Sequence, residues 1–182
     1  LFSGLTSSSY SSTPTDYSDS ETSSNNDTFY YAHYNYSSLY LTSSLYSSYL
    51  MAGSMSSGSD VDFFYGYVNS SSNAGTHKFS QTSGSASCVL YKATSSESSN
   101  YTATPVNSGT TSLGTLSTTA ISVSVSVGDY VYVKCSGSSG AAYTFKNEYV
   151  ASTSSSSSSS ASSYFSTISL LGCMDADAEC QK

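Results

Sequence analysis

Apolar and hydroxyl side chains alternate strictly from residue 121 to residue 127, where Ile or Val occupies every second position and Ser the positions between. A period of two residues is that of a β-strand with one face toward a core and the other toward water. Gly128 and Asp129 are a turn signal, and the apolar residues 130–134 after them predict a return strand. The segment therefore predicts a β-hairpin.

Strand patterns also occur elsewhere in the chain. In residues 60–68 both alternating faces are largely apolar, which predicts a strand that is covered on both sides. From residue 29 to residue 55, Tyr and Leu recur irregularly among pairs of Ser, and Tyr-rich segments of this kind favour strands. A turn is predicted at 73–75. Further short strands are predicted at 77–80, 88–91, 143–145 and 149–150.

Because every well-patterned segment is a strand, the sequence predicts an all-β, antiparallel β-sandwich. Its flanks have a different composition, including an unbroken Ser run at 154–160 that is typical of a linker. The predicted organisation is an extended N-terminal arm with a short strand at 1–20, a sandwich domain at 21–150, a Ser-rich linker at 151–163, and a strand-like segment with an acidic tail at 164–182.

The composition excludes several classes of protein. The 182 residues include 52 Ser, 19 Thr and 18 Tyr, carry a net charge of −7, and contain five Lys and no Arg. Nucleic-acid binding depends on Lys and Arg that neutralise phosphates, so this class is disfavoured. No apolar run reaches the 18 or so residues of a membrane helix. A hydrophobic content of 37% is too high for a plain disordered linker.

The cysteines indicate an oxidising compartment, because none forms a C-x-x-C pair and the two His residues lie far apart in the sequence. Three disulfide connectivities are possible. The six-residue gap between Cys173 and Cys180 suits a local disulfide, which would leave Cys88 and Cys135 to join two strands. We expect a secreted, extracellular glycoprotein. Its N-x-S/T sequons begin at Asn26, Asn35, Asn69 and Asn100.

The scarce acidic residues are clustered. Asp16, Asp19, Glu21 and Asp27 fall within a dozen residues, and Asp60 and Asp62 flank Val61 at the start of a predicted strand. Neutral oxygen donors such as Asn26 and Ser59 accompany them, and hard oxygen ligands of this kind suit Ca²⁺. The alternative is that these acids are solvated turn residues. No EF-hand loop is present.

The order of these features resembles the bacterial pre-peptidase C-terminal domain family, to which the collagen-binding modules of clostridial collagenases belong. Residues 21–27 (ETSSNND) correspond to the family's E-P-N-N segment, with Thr22 and two Ser in place of the Pro. Residues 51–64 (MAGSMSSGSDVDFF) correspond to its G-S-I…D-x-D-Y/F-F strand. Weaker matches follow at 73–79, 88–91, 127–133 and 143–145. The Ser-rich tail after residue 150 has no counterpart in the family.

The resemblance implies a jelly-roll-like β-sandwich with Ca²⁺ bound between the N-terminal arm and the D-x-D strand. The ligands that it implies here are Glu21, Asn26, Asp27, Asp60 and Asp62. The role of the ion would be structural, because it would neutralise the clustered acids and hold the arm against the sandwich.

We do not expect an enzyme. No G-x-S-x-G elbow, phosphate-binding loop or dinucleotide fingerprint occurs, and Ser is too abundant for its presence to indicate a triad. His77 follows a predicted turn, where we expect it to be exposed and structural.

Two non-catalytic functions remain. The first is a repeating subunit of an extracellular filament or surface layer, in which the strand-like ends of one copy complete the sheets of the next. The second is a calcium-dependent binding module for a glycan or a fibrous protein. Its candidate surface is a stripe of Tyr30, Tyr31, Tyr34 and Tyr36, extended by Tyr40, although ordinary sheet packing would also explain these side chains. The two strand-like ends favour the filament.

Overall fold

The structure is a computed structural model that describes residues 15–17, 26–34, 39, 41 and 48–150. The chain divides into two units, Leu1–Ser152 and Thr153–Lys182, and every element below belongs to the first. The predicted linker at 151–163 and the predicted strand-like segment at 164–182 lie outside the described residues.

Strands dominate the described residues. In chain order the elements are β1 (Thr15–Tyr17), α1 (Phe29–Tyr34), β2 (Ser48–Ser54), β3 (Val61–Tyr67), β4 (Gly75–Gly84), β5 (Ser87–Ala93), β6 (Thr110–Thr115), β7 (Ile121–Val125), β8 (Tyr130–Ser136) and β9 (Ala142–Val150). They form a five-stranded sheet in the order β1-β2-β9-β4-β7 and a four-stranded sheet in the order β3-β8-β5-β6. All strand pairs are antiparallel except β1 with β2. The predicted all-β sandwich is confirmed.

The main core lies between the two sheets and is built by side-chain alternation. In β7, Val123 and Val125 are buried, whereas Ser122 and Ser124 are exposed. The alternation predicted for this segment is therefore correct, although the strand ends at Val125. From the other strands, the core receives large apolar side chains that include Met51, Phe64, Phe79, Leu90, Val133, Tyr143 and Phe145.

The predicted hairpin of residues 121–134 is wrong. β7 pairs with β4 in the five-stranded sheet, whereas β8 pairs with β3 and β5 in the other sheet. The turn between them is local, because Ser126 donates its amide to the Asp129 carboxylate at 2.8 Å and Gly128 has a positive φ of 96°. Alternation and a turn predict two strands, but they do not determine whether those strands pair side by side or face each other across the core.

Residues 29–34 form a helix rather than the predicted strand. The Thr28 hydroxyl accepts a hydrogen bond from the Tyr31 amide at 3.3 Å, which caps the first turn. Phe29 and Ala32, three residues apart on one helix face, are both fully buried. Within the predicted strand region 29–55, the structure describes one strand, β2.

The helix covers the outer face of the four-stranded sheet. The rings of Phe29 and Phe63 have centroids 4.5 Å apart, and Phe29 also meets Tyr132 edge to face at 4.9 Å. These rings form a second cluster with Ala32 and Ala93. Both faces of β3 are thus covered, as its two-sided apolar pattern predicts.

The remaining strand predictions are shorter than the strands that form. The segments predicted at 143–145 and 149–150 belong to one nine-residue strand, β9, which lies between β2 and β4. Likewise, β4 extends beyond the predicted 77–80. No helix among the described residues is long and apolar enough to cross a membrane.

Candidate functional site

Asp60 and Asp62 lie at the start of β3 and are both buried, with 5% and 1% of their surfaces exposed. The Asp60 Oδ2 accepts hydrogen bonds from the amide and, at 2.8 Å, from the hydroxyl of Ser56. The Asp62 Oδ2 accepts a hydrogen bond from the Tyr143 hydroxyl at 2.7 Å. Two carboxylates are therefore held in a region of the sandwich from which water is largely excluded.

Asn26 lies directly beside β3. Its carbonyl accepts a hydrogen bond from the Phe63 amide at 2.9 Å, and its side-chain amide donates to the Phe63 carbonyl at 3.5 Å. Phe63 is the residue that follows Asp62, so Asn26, which we call the root of the N-terminal arm, lies beside β3 close to the start of the strand, where both carboxylates lie. Asn26 itself is fully buried.

The Oδ1 atoms of Asn26 and of Asp60 are both buried and have no hydrogen-bond partner among the described residues. Buried acceptors in native proteins are almost always satisfied, and leaving one unsatisfied costs about 1–3 kcal/mol. An amide oxygen and a carboxylate oxygen are the hard donors that Ca²⁺ takes, so these two residues fit the group that the sequence predicts.

The full predicted ligand set is not assembled within the described residues. Glu21 lies outside them, and Asp27 is half-buried at the entrance to α1. No group of three or more His, Cys, Asp or Glu side chains suited to a metal is found in the described part of the chain. The calcium site therefore stays a prediction, supported here by the surroundings of Asn26 and Asp60.

Cys88 and Cys135 form a disulfide and are fully buried. They lie directly opposite each other on β5 and β8, with their Cα atoms 4.0 Å apart. The disulfide joins two neighbouring strands of the four-stranded sheet across 47 residues of sequence. Cys173 and Cys180 lie outside the described residues.

The predicted Tyr stripe lies partly on helix α1. Tyr30 stacks on Tyr101 with centroids 4.1 Å apart and meets Tyr31 edge to face at 5.2 Å. The backbone of Tyr34 ends the helix, and Tyr36 and Tyr40 lie outside the described residues. The stripe is thus not a row along one strand, because a helix distributes these positions around its axis.

A larger group of aromatic rings, which the sequence reasoning did not single out, covers the outer face of the four-stranded sheet. Tyr67 stacks on Tyr130 with centroids 4.7 Å apart, and His33 stacks on Tyr65 at 4.1 Å. Tyr67 keeps 44% of its surface exposed. The sequence signal for this layer is the alternation of aromatic residues in β3 and in β8. The register of the two strands places these residues on the same outer face of the sheet.

His33 ties the helix to the sheet. Its Nε2 lies 3.0 Å from the Tyr132 hydroxyl, which accepts a hydrogen bond from the Glu97 amide at 3.1 Å. Burial lowers the pKa of His33 to about 4, although the negative charge of Glu97 acts in the opposite direction. Burial also raises the pKa of Tyr132. The imidazole is therefore neutral at pH 7.

Glu97 organises the loop between β5 and β6. Its carboxylate accepts hydrogen bonds from the Thr110 hydroxyl at 2.6 Å, the Asn107 amide at 3.0 Å and the Asn100 side chain at 2.9 Å. Burial would raise the pKa of Glu97, but these donors and the Val106 amide together lower it below its ordinary value. The charge is thus satisfied by the loop, which leaves this carboxylate a structural role.

Other predicted sites have clear positions. Asn26 and Asn100 are buried, so a glycan at either would require the side chain to leave the fold. Asn69 is exposed, and Asn35 lies outside the described residues.

The expectation of an exposed His77 is wrong, because this residue is fully buried. It lies in β4, and its Nε2 is 3.0 Å from the Asn73 carbonyl.

Comparison with known protein families and with curated proteins found no match. No model of a known protein family matches the chain, and no curated protein matches it.

Proposed function

We propose that the chain is a secreted, non-catalytic structural subunit that polymerises outside the cell by strand addition. The observation that carries this proposal is the pairing of β1 with β2. Three residues of the N-terminal arm add a parallel strand to the edge of the five-stranded sheet, with Asp16 opposite Ala52.

A strand held in this way suits exchange between copies. β1 has only three residues and lies at the edge of its sheet. The bonds to β2 are the same whether the strand comes from the same chain or from a neighbour. The eight residues at 18–25, between β1 and Asn26, could span about 26–29 Å when extended, which would let β1 reach the sheet edge of an adjacent subunit. Exchange around an open series of copies would give a filament.

The acidic site at Asn26, Asp60 and Asp62 would hold this arm against the sandwich. Asn26 is the point at which the arm meets β3, and within the described residues the buried Oδ1 atoms of Asn26 and Asp60 have no hydrogen-bond partner. Calcium at Asn26, Asp60 and Asp62, with Glu21 and Asp27 as further ligands, would fix the root of the arm and leave its outer end free to pair. The Cys88–Cys135 disulfide would stiffen the sheet behind it.

Electron microscopy of Asp16→Pro tests the proposal. Proline lacks the backbone N–H and is unsuited to a strand that pairs through its main chain. We expect the native chain and the control Asp16→Ala to form filaments and Asp16→Pro to remain short or monomeric with an unchanged melting temperature. A chain lacking residues 161–182 tests the second predicted strand-like end in the same assay. Normal filaments of Asp16→Pro would contradict the proposal.

A second candidate function is a calcium-dependent extracellular module that binds a glycan or a fibrous protein. The observation that favours it is the exposure of stacked Tyr rings, with Tyr67 44% and Tyr101 62% exposed. Flat rings with a hydroxyl suit such contacts. Glycan and fibrous-protein arrays, with and without EDTA, would discriminate: binding by the native chain that is lost in Tyr67→Ala but kept in Val127→Ala would favour this function.

A further inference from the structure

The sequon at Asn69 lies on an exposed turn. Asn69 comes two residues after the end of β3, and both Asn69 and Ser71, which supplies the hydroxyl of the sequon, are exposed. The turn is closed by a hydrogen bond from the Asn73 amide to the Ser70 carbonyl at 3.1 Å. N-linked sugars are attached to N-x-S/T on surface loops of secreted proteins. This sequon therefore has the setting that the modification requires.

The side chain of Asn69 is oriented with its reactive atom free. Its Oδ1 accepts a hydrogen bond from the Asn73 side-chain amide at 3.3 Å. Its Nδ2, the atom to which an N-linked sugar is joined, donates no hydrogen bond to any described residue. The hydroxyls of Ser70 and Ser72 bond each other at 2.6 Å, and that of Ser71 has no partner within the described residues. A sugar at Asn69 therefore breaks no hydrogen bond of the fold.

The other two sequons within the described residues are arranged in the opposite way. Asn100 is 3% exposed, and its Nδ2 donates to the Glu97 carboxylate at 2.9 Å and to the Thr104 carbonyl at 2.8 Å. The side-chain amide of Asn26 is likewise buried and hydrogen-bonded. A sugar at either residue would break these bonds. Of the three, Asn69 is the one that suits a sugar on the folded chain.

Tyr67 lies two residues before Asn69 on the same side of the chain. Strand pairing continues past the end of β3, because the Val68 amide donates to the Asp129 carbonyl at 3.0 Å and the Gly128 amide donates to the Val68 carbonyl at 2.8 Å. Val68 is fully buried, whereas Tyr67 and Asn69 are exposed. In an extended chain, positions two apart share one face and lie about 6–7 Å apart. A sugar on Asn69 would therefore start beside the Tyr67 ring.

The ring of Tyr67 is a fixed and partly open surface. It stacks on Tyr130 with centroids 4.7 Å apart, and 44% of Tyr67 is exposed. One face of a pyranose sugar carries mainly C–H groups and is apolar. Covering an exposed aromatic ring with that face removes apolar surface from water, while the phenol hydroxyl can stay in water. The ring is thus suited to hold the first sugar of a chain attached at Asn69.

We propose that Asn69 carries an N-linked oligosaccharide whose first sugar packs on Tyr67. In the transfer, the anomeric carbon of a lipid-pyrophosphate-linked oligosaccharide forms a bond to Nδ2. Its bond to the phosphate oxygen breaks, Nδ2 loses one proton, and the lipid pyrophosphate leaves with the electron pair. The inference rests on the secreted location in the proposed function and does not depend on the filament. The sugar would cover the ring that the second candidate function uses, so the two assignments of Tyr67 exclude each other.

Mass spectrometry of chymotryptic glycopeptides tests the attachment, using the full-length chain secreted from cultured insect cells behind a cleavable leader. We expect a sugar on Asn69 in most of the secreted chains and none on Asn26 or Asn100. Ser71→Ala should abolish the modification of Asn69, and the conservative variant Ser71→Thr should keep it. Secreted chains that lack a sugar at Asn69, or that carry one at Asn100, would overturn the proposal.

Thermal unfolding tests the contact with Tyr67. The glycosylated native chain should melt about 2–4 °C above Ser71→Ala, which lacks the sugar but keeps Asn69. In the Tyr67→Ala background, this difference should fall to about 1 °C or less. Tyr101→Ala, at another exposed and stacked ring, is the matched control and should keep the full difference. An equal difference in the native and Tyr67→Ala backgrounds would overturn the packing of the sugar on this ring.

Electron microscopy of the same samples separates this inference from the proposed function. Filaments built from chains without a sugar at Asn69 would contradict the glycan and leave strand exchange intact. Chains that carry the sugar at Asn69 and form no filaments would support the glycan and contradict the filament.

Discussion

The carbonyl of Asn26 accepts a hydrogen bond from the amide of Phe63 at 2.9 Å, which joins the root of the N-terminal arm to β3 next to Asp62. The Oδ1 atoms of Asn26 and of Asp60 are each buried with no hydrogen-bond partner in the part of the chain that the structure describes. A cation that binds these oxygens would bind the folded state and not the unfolded one, and would therefore stabilise the fold.

Calcium is expected to raise the melting temperature of the native chain above its value in EDTA. At a concentration 100 times the dissociation constant, a single site contributes about 2.7 kcal/mol, which corresponds to a shift of several degrees in a domain of this size. Asp60→Asn should remove most of the shift. Glu148→Gln, which removes the same charge from a partly exposed ion pair with Lys146, should keep it. An identical melting temperature in EDTA and calcium would exclude the site.

Acid should weaken the attachment of α1 through His33. The pKa of His33 is lowered from 6.5 to about 4 in the folded chain, so the unfolded chain takes up a proton first as the pH falls. The associated stability is fully present above pH 6.5 and is lost as the pH falls toward 4. Because part of the ring reaches water, we expect a loss on the order of 1 kcal/mol between pH 7 and pH 5.

Urea unfolding at pH 7 and pH 5 measures this loss. His33→Phe keeps a flat ring against Tyr65 but cannot titrate, so its free energy of unfolding should change less between the two values. Equal pH dependence in the native chain and in His33→Phe would contradict the role assigned to this residue.

Removing the Glu97 carboxylate should destabilise the loop between β5 and β6. Glu97→Ala leaves the donors at Thr110, Asn107 and Asn100 without their acceptor, and we expect a loss of about 3 kcal/mol or more in the free energy of unfolding. Glu148→Ala, at a partly exposed pair, should cost less than about 1 kcal/mol. Similar losses from the two variants would show that the loop does not depend on this carboxylate.

Replacing Cys88 and Cys135 together by Ala should lower stability through the unfolded state. A crosslink across 47 residues restricts the unfolded chain by about 4 kcal/mol in the loop-entropy model. Because the lost sulfur packing adds to this, the double variant should unfold at clearly lower urea concentration. A midpoint equal to that of the native chain would contradict a stabilising disulfide.

Strand positions could be predicted where side-chain alternation is local. The pattern at 121–127 correctly predicts that Val123 and Val125 are buried. The two-sided pattern at 60–68 correctly predicts a strand that is covered on both faces. The pairing of β7 could not be predicted in the same way, because a turn of similar sequence can join neighbours in one sheet or strands in opposite sheets. That choice depends on packing across the core.

The candidate site was partly accessible from the sequence. The grouping of Asp60 and Asp62 is visible as a D-x-D pattern, but the position of Asn26 against Phe63 depends on how the chain folds back over β3. Helix α1 was missed because its Tyr-rich sequence favours strands, whereas the Thr28 cap and the burial of Phe29 stabilise a helix. The aromatic layer depends on the register of β3 and β8, which places Tyr67 opposite Tyr130, and that pairing could not be predicted from the sequence pattern.

A disulfide engineered between β1 and β2 tests strand exchange most directly. Asp16→Cys with Ala52→Cys places the two cysteines opposite each other in the parallel register, in a chain whose Cys173 and Cys180 are replaced by Ser. Peptide mapping of mixed isotopically light and heavy chains then identifies the partners. Exchange predicts that assembled material contains light–heavy crosslinks between residues 16 and 52 of different copies. Crosslinks confined to single chains in the assembled material would contradict strand addition by the arm.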